Sequence, residues 1–212
     1  MLYKVFAFGR PGSGKSIAVR VMEDIIQQRG WNVVSLRDYD ILYKMFLEDV
    51  GHKRFQPVEA GYDGFDVTDF SVLEEALDQL KQQIIDQHHN PAATKFLFVE
   101  LARDNYDAVL DYLSRDNHFI LQNVRILLIE SEVELCIRRI YERAKGNVSD
   151  DYRLLPNDMH FVSENILRTY YSQQKLSKPH DTINNNGTRE EFLEQIHRYV
   201  EILLAEKSKI GL

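Results

Sequence analysis

The sequence predicts an α/β fold: a five-stranded parallel sheet sandwiched in three layers by helices on both faces. Three observations predict it. Short apolar runs alternate with longer runs of helical period along the chain. The first run, Tyr3 to Phe8, is apolar at nearly every position, as in a strand buried on both sides. A glycine-rich turn then joins that run to a helical one.

The first helix is expected from Ser16 to Arg29, with Ala18, Val21, Met22 and Ile25 on one face and Gly30 as its stop. Asn32 to Leu36 reads as the second strand, followed by a short helix carrying Leu42, Met45 and Phe46. Residues 50–69 hold glycines, a proline and aromatics without a clean period, so 40–70 is a candidate insertion. Val72 to Gln87 is helical, with His88-His89 at its end, and Lys95 to Val99 is the third strand. A helix over Tyr106 to Leu113 leads to a fourth strand, Val124 to Ile129, and a helix from Val133 to Ala144. Polar residues 145–158 separate this from a helix over Phe161 to Lys175. Asp181 to Ile183 is a short fifth strand and Glu190 to Glu206 the closing helix.

The 212 residues fit one domain. A net charge of −7 does not favour a nucleic-acid backbone, so an anionic ligand needs a local basic site. No apolar run approaches the ~18 residues of a membrane span, and the N-terminus enters a strand pattern at once, without a leader pattern. A lone cysteine, Cys136, sits on the apolar side of a helical pattern and reads as packing in a reducing compartment. The expectation is a cytoplasmic protein. His52, His88, His89, His118, His160, His180 and His197 form no metal-ligand spacing.

Gly9-Arg10-Pro11-Gly12-Ser13-Gly14-Lys15-Ser16 satisfies G-x-x-x-x-G-K-[ST], with a strand before it and a helix, opening through Ile17, after it. The glycines let the backbone turn its N–H groups inward. With the helix N-terminus, those donors cradle phosphate oxygens. Lys15 would reach the β- and γ-phosphates of ATP, and Ser16 would place its hydroxyl on Mg²⁺. Glu100 follows the buried run Phe96 to Val99. It can hold the metal or its water, act as a base, or simply cap a helix or pair with Arg103. Arg103 can clamp an acceptor or phosphate, or pair with Asp104 or Asp107.

These residues resemble the P-loop kinases of small molecules, the adenylate-kinase-like group. The resemblance implies sheet order 2-3-1-4-5, a single domain over 1–212, and a short lid at 145–158. Arg139-Ile140-Tyr141-Glu142-Arg143 looks like the Arg-x-x-x-Arg that opens the lid in that group. Four residues apart, Arg139 and Arg143 share a helix flank, opposite Val133, Ile137, Ile140 and Ala144; Arg138 is turned away by ~100°. Arg168 resembles the arginine that closes onto phosphate after the lid, and Arg153 lies within the lid. The resemblance thus casts Arg139, Arg143 and Arg168 as catalytic charges and makes Arg139→Ala a change in kcat rather than in ATP affinity. Asn186-Gly187-Thr188 looks like the segment that packs on adenine, while Thr188 and Glu191 also read as a capping box. The group's Asp-Gly-x-Pro-Arg pattern is missing around the third strand, so no nucleotide acceptor is implied.

At the end of the second strand, Asp38 or Asp40 can take a proton from an acceptor hydroxyl, or one of them can cap the helix near Ile41. Arg37 can meet an anionic acceptor, and Lys53, Arg54, Tyr62 and Phe65 are contacts the insertion can offer. The leading expectation is an ATP-dependent, Mg²⁺-assisted kinase of a small molecule. A switch or motor ATPase and a regulatory nucleotide-binding protein are the alternatives. A GTPase is disfavoured by the lack of Asn-Lys-x-Asp.

Overall fold

The structure is a computed structural model and describes residues 2–58, 62, 64–90, 96–146, 161–171 and 176–210. Its main sheet has β1 (Tyr3–Phe8), β2 (Val33–Arg37), β5 (Phe96–Leu101), β6 (Val124–Glu130) and β7 (Asp181–Asn184). The spatial order is β2-β5-β1-β6-β7 and every pairing is parallel. Counted within this sheet, that is the expected 2-3-1-4-5.

β1 lies at the centre, which explains why all of its residues are buried and all but Lys4 are apolar. Tyr3, Val5 and Ala7 face a layer formed by α1 (Lys15–Gln28) and α7 (Arg189–Ile210). Leu2, Phe6 and Phe8 face the layer of α2 (Asp38–Glu48), α3 (Ser71–His89) and α4 (Tyr106–Ser114). Alternate residues of a strand point to opposite faces, so a strand covered on both sides is apolar at nearly every position. Phe96 and Phe98 of β5 enter the α1/α7 layer while Leu97, Val99 and Leu101 enter the other. Truncating one such phenylalanine to alanine would cost about 3–5 kcal/mol.

Several boundaries differ from expectation. The third sheet strand runs on to Leu101 and so contains Glu100. The insertion is not all loop: Phe55–Pro57 (β3) and Phe65–Val67 (β4) pair antiparallel. Each strand is only three residues long, too short to show a period. Asp49 organises the entry to this hairpin by accepting from the backbone N–H groups of Lys53, Arg54 and Phe55. A 3₁₀ turn, His118–Leu121, precedes β6. Past α5 (Val133–Ala144), α6 spans only Glu164–Thr169. Most of the expected lid, with Arg153, lies outside the described residues.

A smaller apolar cluster joins Ile137 and Ile140 of α5 to Phe161, Val162 and Leu167, with Val58 and Tyr62 of the insertion packed against it. The Tyr62 and Phe161 rings stack at 4.4 Å with an interplanar angle of 10°. No helix among the described residues is long and apolar enough to cross a membrane.

Candidate active site

β1 ends at Phe8, and the loop that follows turns on glycines at positive φ, +80° at Gly12 and +96° at Gly14. Neither position has room for a side chain. A Cβ on Gly12 would stand 2.6 Å from the Cys136 carbonyl oxygen, and one on Gly14 would run into the Asn185 amide. The loop is therefore fixed both by its conformation and by the groups packed behind it. Ser13 N–H donates to Arg10 O at 3.1 Å, closing the turn. α1 begins at Lys15 with Gly14 as its N-cap and no side-chain cap. Its first N–H groups are thus left for an anion. Ile17 packs half-buried against the α1/α7 core.

Lys15 and Ser16 meet two carboxylates delivered by neighbouring strand ends. Glu100 stands in register with Ala7 of β1 and Arg37 of β2, and it is buried. Ser16 Oγ–H donates to Glu100 Oε2 at 2.8 Å. Asp38, the first residue of α2, is also buried. Burial lowers the Lys15 ammonium from its ordinary range, and the negative charges of Glu100 and then Asp38 pull it back up. A hydroxyl and a carboxylate at hydrogen-bond distance, beside a lysine at a helix N-terminus, suit a Mg²⁺ that takes its remaining ligands from phosphates and water. Among the described residues no group of three or more His, Cys, Asp or Glu could hold a metal by itself.

The structure separates the two aspartates after β2. Asp40 is half-exposed and pairs with Arg37 at 3.3 Å. Asp38 pairs inside the site with Arg103, whose Nε lies 2.9 Å from Asp38 Oδ2, both side chains being about 95% buried (6% and 4% exposed). The expected cap is absent: the N-cap of α2 is Arg37, without a side-chain cap bond, and both aspartates lie in the first turn. There they still favour the helix dipole.

Arg139 reaches the back of the phosphate loop. Its Nη1 donates to Ser131 Oγ at 3.1 Å and to Gly12 O at 3.4 Å. Its Nη2 donates to Asn185 O at 2.9 Å and Asn185 Oδ1 at 3.2 Å. Asn185 Nδ2 donates in turn to Ser13 O at 2.7 Å, and Ser131 Oγ–H bridges Ser13 O and Asn185 O. The side chain thus lies against the loop, where its donors meet carbonyl and amide oxygens and one hydroxyl. Arg143, one turn on, contributes positive charge near Cys136. Cys136 is fully buried, as expected of packing, and burial pushes its thiol up.

Arg168 stands apart from these groups. Its Nη1 and Nη2 donate to the two carboxylate oxygens of Glu134 at 2.5 and 2.7 Å, and its Nε to Glu164 at 2.8 Å. All three nitrogens are engaged on the surface between α5 and α6, so a reach to phosphate would require this arginine to leave both partners. Arg54 pairs with Asp69 at the end of the insertion and with Glu75 of α3. Phe65 is buried and stacks on Tyr39 at 5.8 Å. Both brace the insertion.

Beyond β7, the asparagine run is a bracket. Asn184 Oδ1 accepts from Asn186 N–H, and Asn186 Oδ1 accepts from Glu132 N–H at 2.7 Å. The capping box is present: Thr188 N–H donates to Glu191 Oε2 at 2.8 Å and Glu191 N–H to Thr188 Oγ1 at 3.2 Å. Gly187 lies directly over that carboxylate. Ser131 and Asn185 carry much of the loop's support, yet no local motif marks either one. They are found only by asking what lies behind the glycines.

No family model and no curated protein sequence matches the chain. Solved structures do match over nearly its full length. An APS kinase from Mycobacterium tuberculosis, solved with AMPPNP and APS, is 15% identical, with 96% of this chain and 97% of that one covered and a TM-score of 0.57. A candidate kinase from Chloroflexus aurantiacus is 14% identical, with 97% of each chain covered and a TM-score of 0.59. A sugar kinase from Janibacter is 13% identical, with 95% and 96% covered and a TM-score of 0.51. The chain has the α/β fold of these P-loop kinases, with its glycine loop at the C-terminal end of the central strand.

Proposed function

We propose that the protein is a phosphotransferase that moves the γ-phosphoryl group of ATP to a hydroxyl of a small acceptor. One observation carries the reading: Lys15, the Ser16–Glu100 pair and Asp38 converge from three strand ends on a loop of inward N–H groups. The likeness to kinases supports the fold of such an enzyme. The lone, buried Cys136 fits a reducing compartment such as the cytoplasm.

The loop N–H groups and Lys15 bind and orient the triphosphate. Ser16 and Glu100 would hold Mg²⁺, which supplies charge neutralisation on the phosphate oxygens when bound. Asp38 accepts the acceptor's proton. The acceptor oxygen forms its bond to the γ-phosphorus as the bond to the bridging oxygen breaks, and ADP leaves with that electron pair. Arg143 would add positive charge beside the loop. Asn186 and Gly187 offer backbone against the base.

The test is ADP release from ATP and Mg²⁺, with and without a metabolite pool, followed by mass spectrometry of phosphorylated products. Acceptor-dependent release supports the kinase. Turnover that ignores metabolites and rises only with a protein partner would sink it in favour of a switch ATPase.

A further inference from the structure

Arg103 leaves β5 two residues after Leu101 and turns its side chain into the site beside Asp38. Only 5% of the residue is exposed. Its Nε sits 2.9 Å from Asp38 Oδ2, close enough for an ion pair, yet off the line a hydrogen bond needs: among the described residues neither Nε nor Nη2 has a hydrogen-bond partner. These two nitrogens form the side-on edge of the guanidinium, the fork that grips a planar or tetrahedral oxyanion through two parallel N–H bonds. A buried charged donor left without an acceptor is costly. This edge lies beside the carboxylate assigned to the acceptor hydroxyl, paired with it in charge but not in hydrogen-bond geometry.

We propose that Arg103 is the acceptor-anchoring residue and that the acceptor carries an oxyanion close to its reactive hydroxyl. The class is a hydroxy acid, a phosphorylated alcohol or a sulfated one, held by Arg103 through the anion and by Asp38 through the hydroxyl. The inference rests on the phosphotransferase reading for the hydroxyl, but not for the anion. Local charge agrees: Lys15 adds a second cation to the site, against a net charge of −7 for the whole chain. Asp38 adds selectivity, since it accepts from a hydroxyl that the anion's own skeleton carries.

Two measurements test this. The first is calorimetric titration of inorganic phosphate, and separately sulfate, into the complex with saturating Mg²⁺ and AMPPNP, which keeps the P-loop filled. The wild type should bind in the millimolar range. Arg103→Gln should weaken binding at least tenfold with AMPPNP affinity unchanged, and Arg103→Lys should recover part of it. Because Arg103→Gln strands a buried carboxylate, circular dichroism melts accompany it, and the wild-type titration stands whatever the variant does. No anion binding to the wild-type complex overturns the proposal.

The second measurement compares ADP release with matched acceptors: a polyol, and the same skeleton bearing a carboxylate, a phosphate or a sulfate. Release confined to the anionic members supports the proposal and names the anion. A neutral polyol used equally well overturns it while leaving the kinase intact. Anion binding through Arg103 with no acceptor ever phosphorylated keeps the anion site and removes the phosphotransferase reading instead.

Discussion

Arg139 and Asn185 hold the phosphate loop from behind, joined to each other through Nη2 and to the loop through Gly12 O and Ser13 O. Neither needs to touch a phosphate to matter. Arg139→Ala removes donors from four oxygens and loosens the turn that aims the loop's N–H groups. ATP affinity should fall about 10- to 100-fold, the equivalent of one or two charge-assisted bonds, with kcat falling in parallel. Single-turnover kinetics with a separate ATP titration would show it. A drop in kcat at unchanged affinity would restore the transition-state role its helix spacing suggests.

Lys15→Ala should abolish measurable ATP binding. Lys15 is the cation of the loop itself; burial lowers it, and the charges of Glu100 and Asp38 oppose that lowering. Isothermal titration is the direct measurement. Micromolar affinity in the variant would refute the assignment of the loop as an ATP site.

Glu100→Gln keeps the shape beside Ser16 and removes the charge. The Mg²⁺ concentration for half-maximal activity should rise about 10- to 100-fold, and excess metal should restore part of the rate. An unchanged Mg²⁺ profile with a lost rate would instead make Glu100 the base and Asp38 an anchor.

At the opposite end of β1, Lys4 is 1% exposed, and no carboxylate among the described residues pairs with it. Burial lowers it from 10.5 to about 8. The unfolded chain binds this proton more tightly than the folded one, so stability rises with pH between those values. Below about pH 8 the buried charge costs the wild type about 3 kcal/mol. Lys4→Met should therefore stabilise by about that amount near pH 7, and the gain should fade towards pH 10.5. Urea melts at several pH values would show it; a gain independent of pH would mean that packing, not charge, is responsible.

The parts of the molecule that were legible in the sequence are those carried by local spacing. The phosphate loop, the buried strands and the Thr188–Glu191 capping box each lie within a few residues, and period or motif suffices to read them. Glu100 was legible because an acid seldom ends a buried run without reason. Pairings across the fold were not. Asp38 and Arg103 are 65 positions apart and meet only because β2 and β5 are neighbours. Arg168 illustrates the reverse: its motif suggested phosphate, while Glu134 and Glu164, equally near in space, hold it on the surface. A helical wheel fixes a direction but not the group waiting there.

The stacked rings of Tyr62 and Phe161 have a consequence for how the chain is held together. Tyr62 belongs to chain that follows β2, and Phe161 to chain that follows β6. Those strands flank β5 and β1, so the stack bridges the two ends that carry Glu100 and the glycine loop. Tyr171, just past α6, adds a bond from its hydroxyl to Ala102 O at 3.1 Å. The insertion and the chain before α6 are thus fastened to each other and, through Tyr171, to the end of β5. Loss of either ring would loosen two segments about a hundred positions apart in the sequence, so one aromatic pair ties together parts of the chain that no local motif connects.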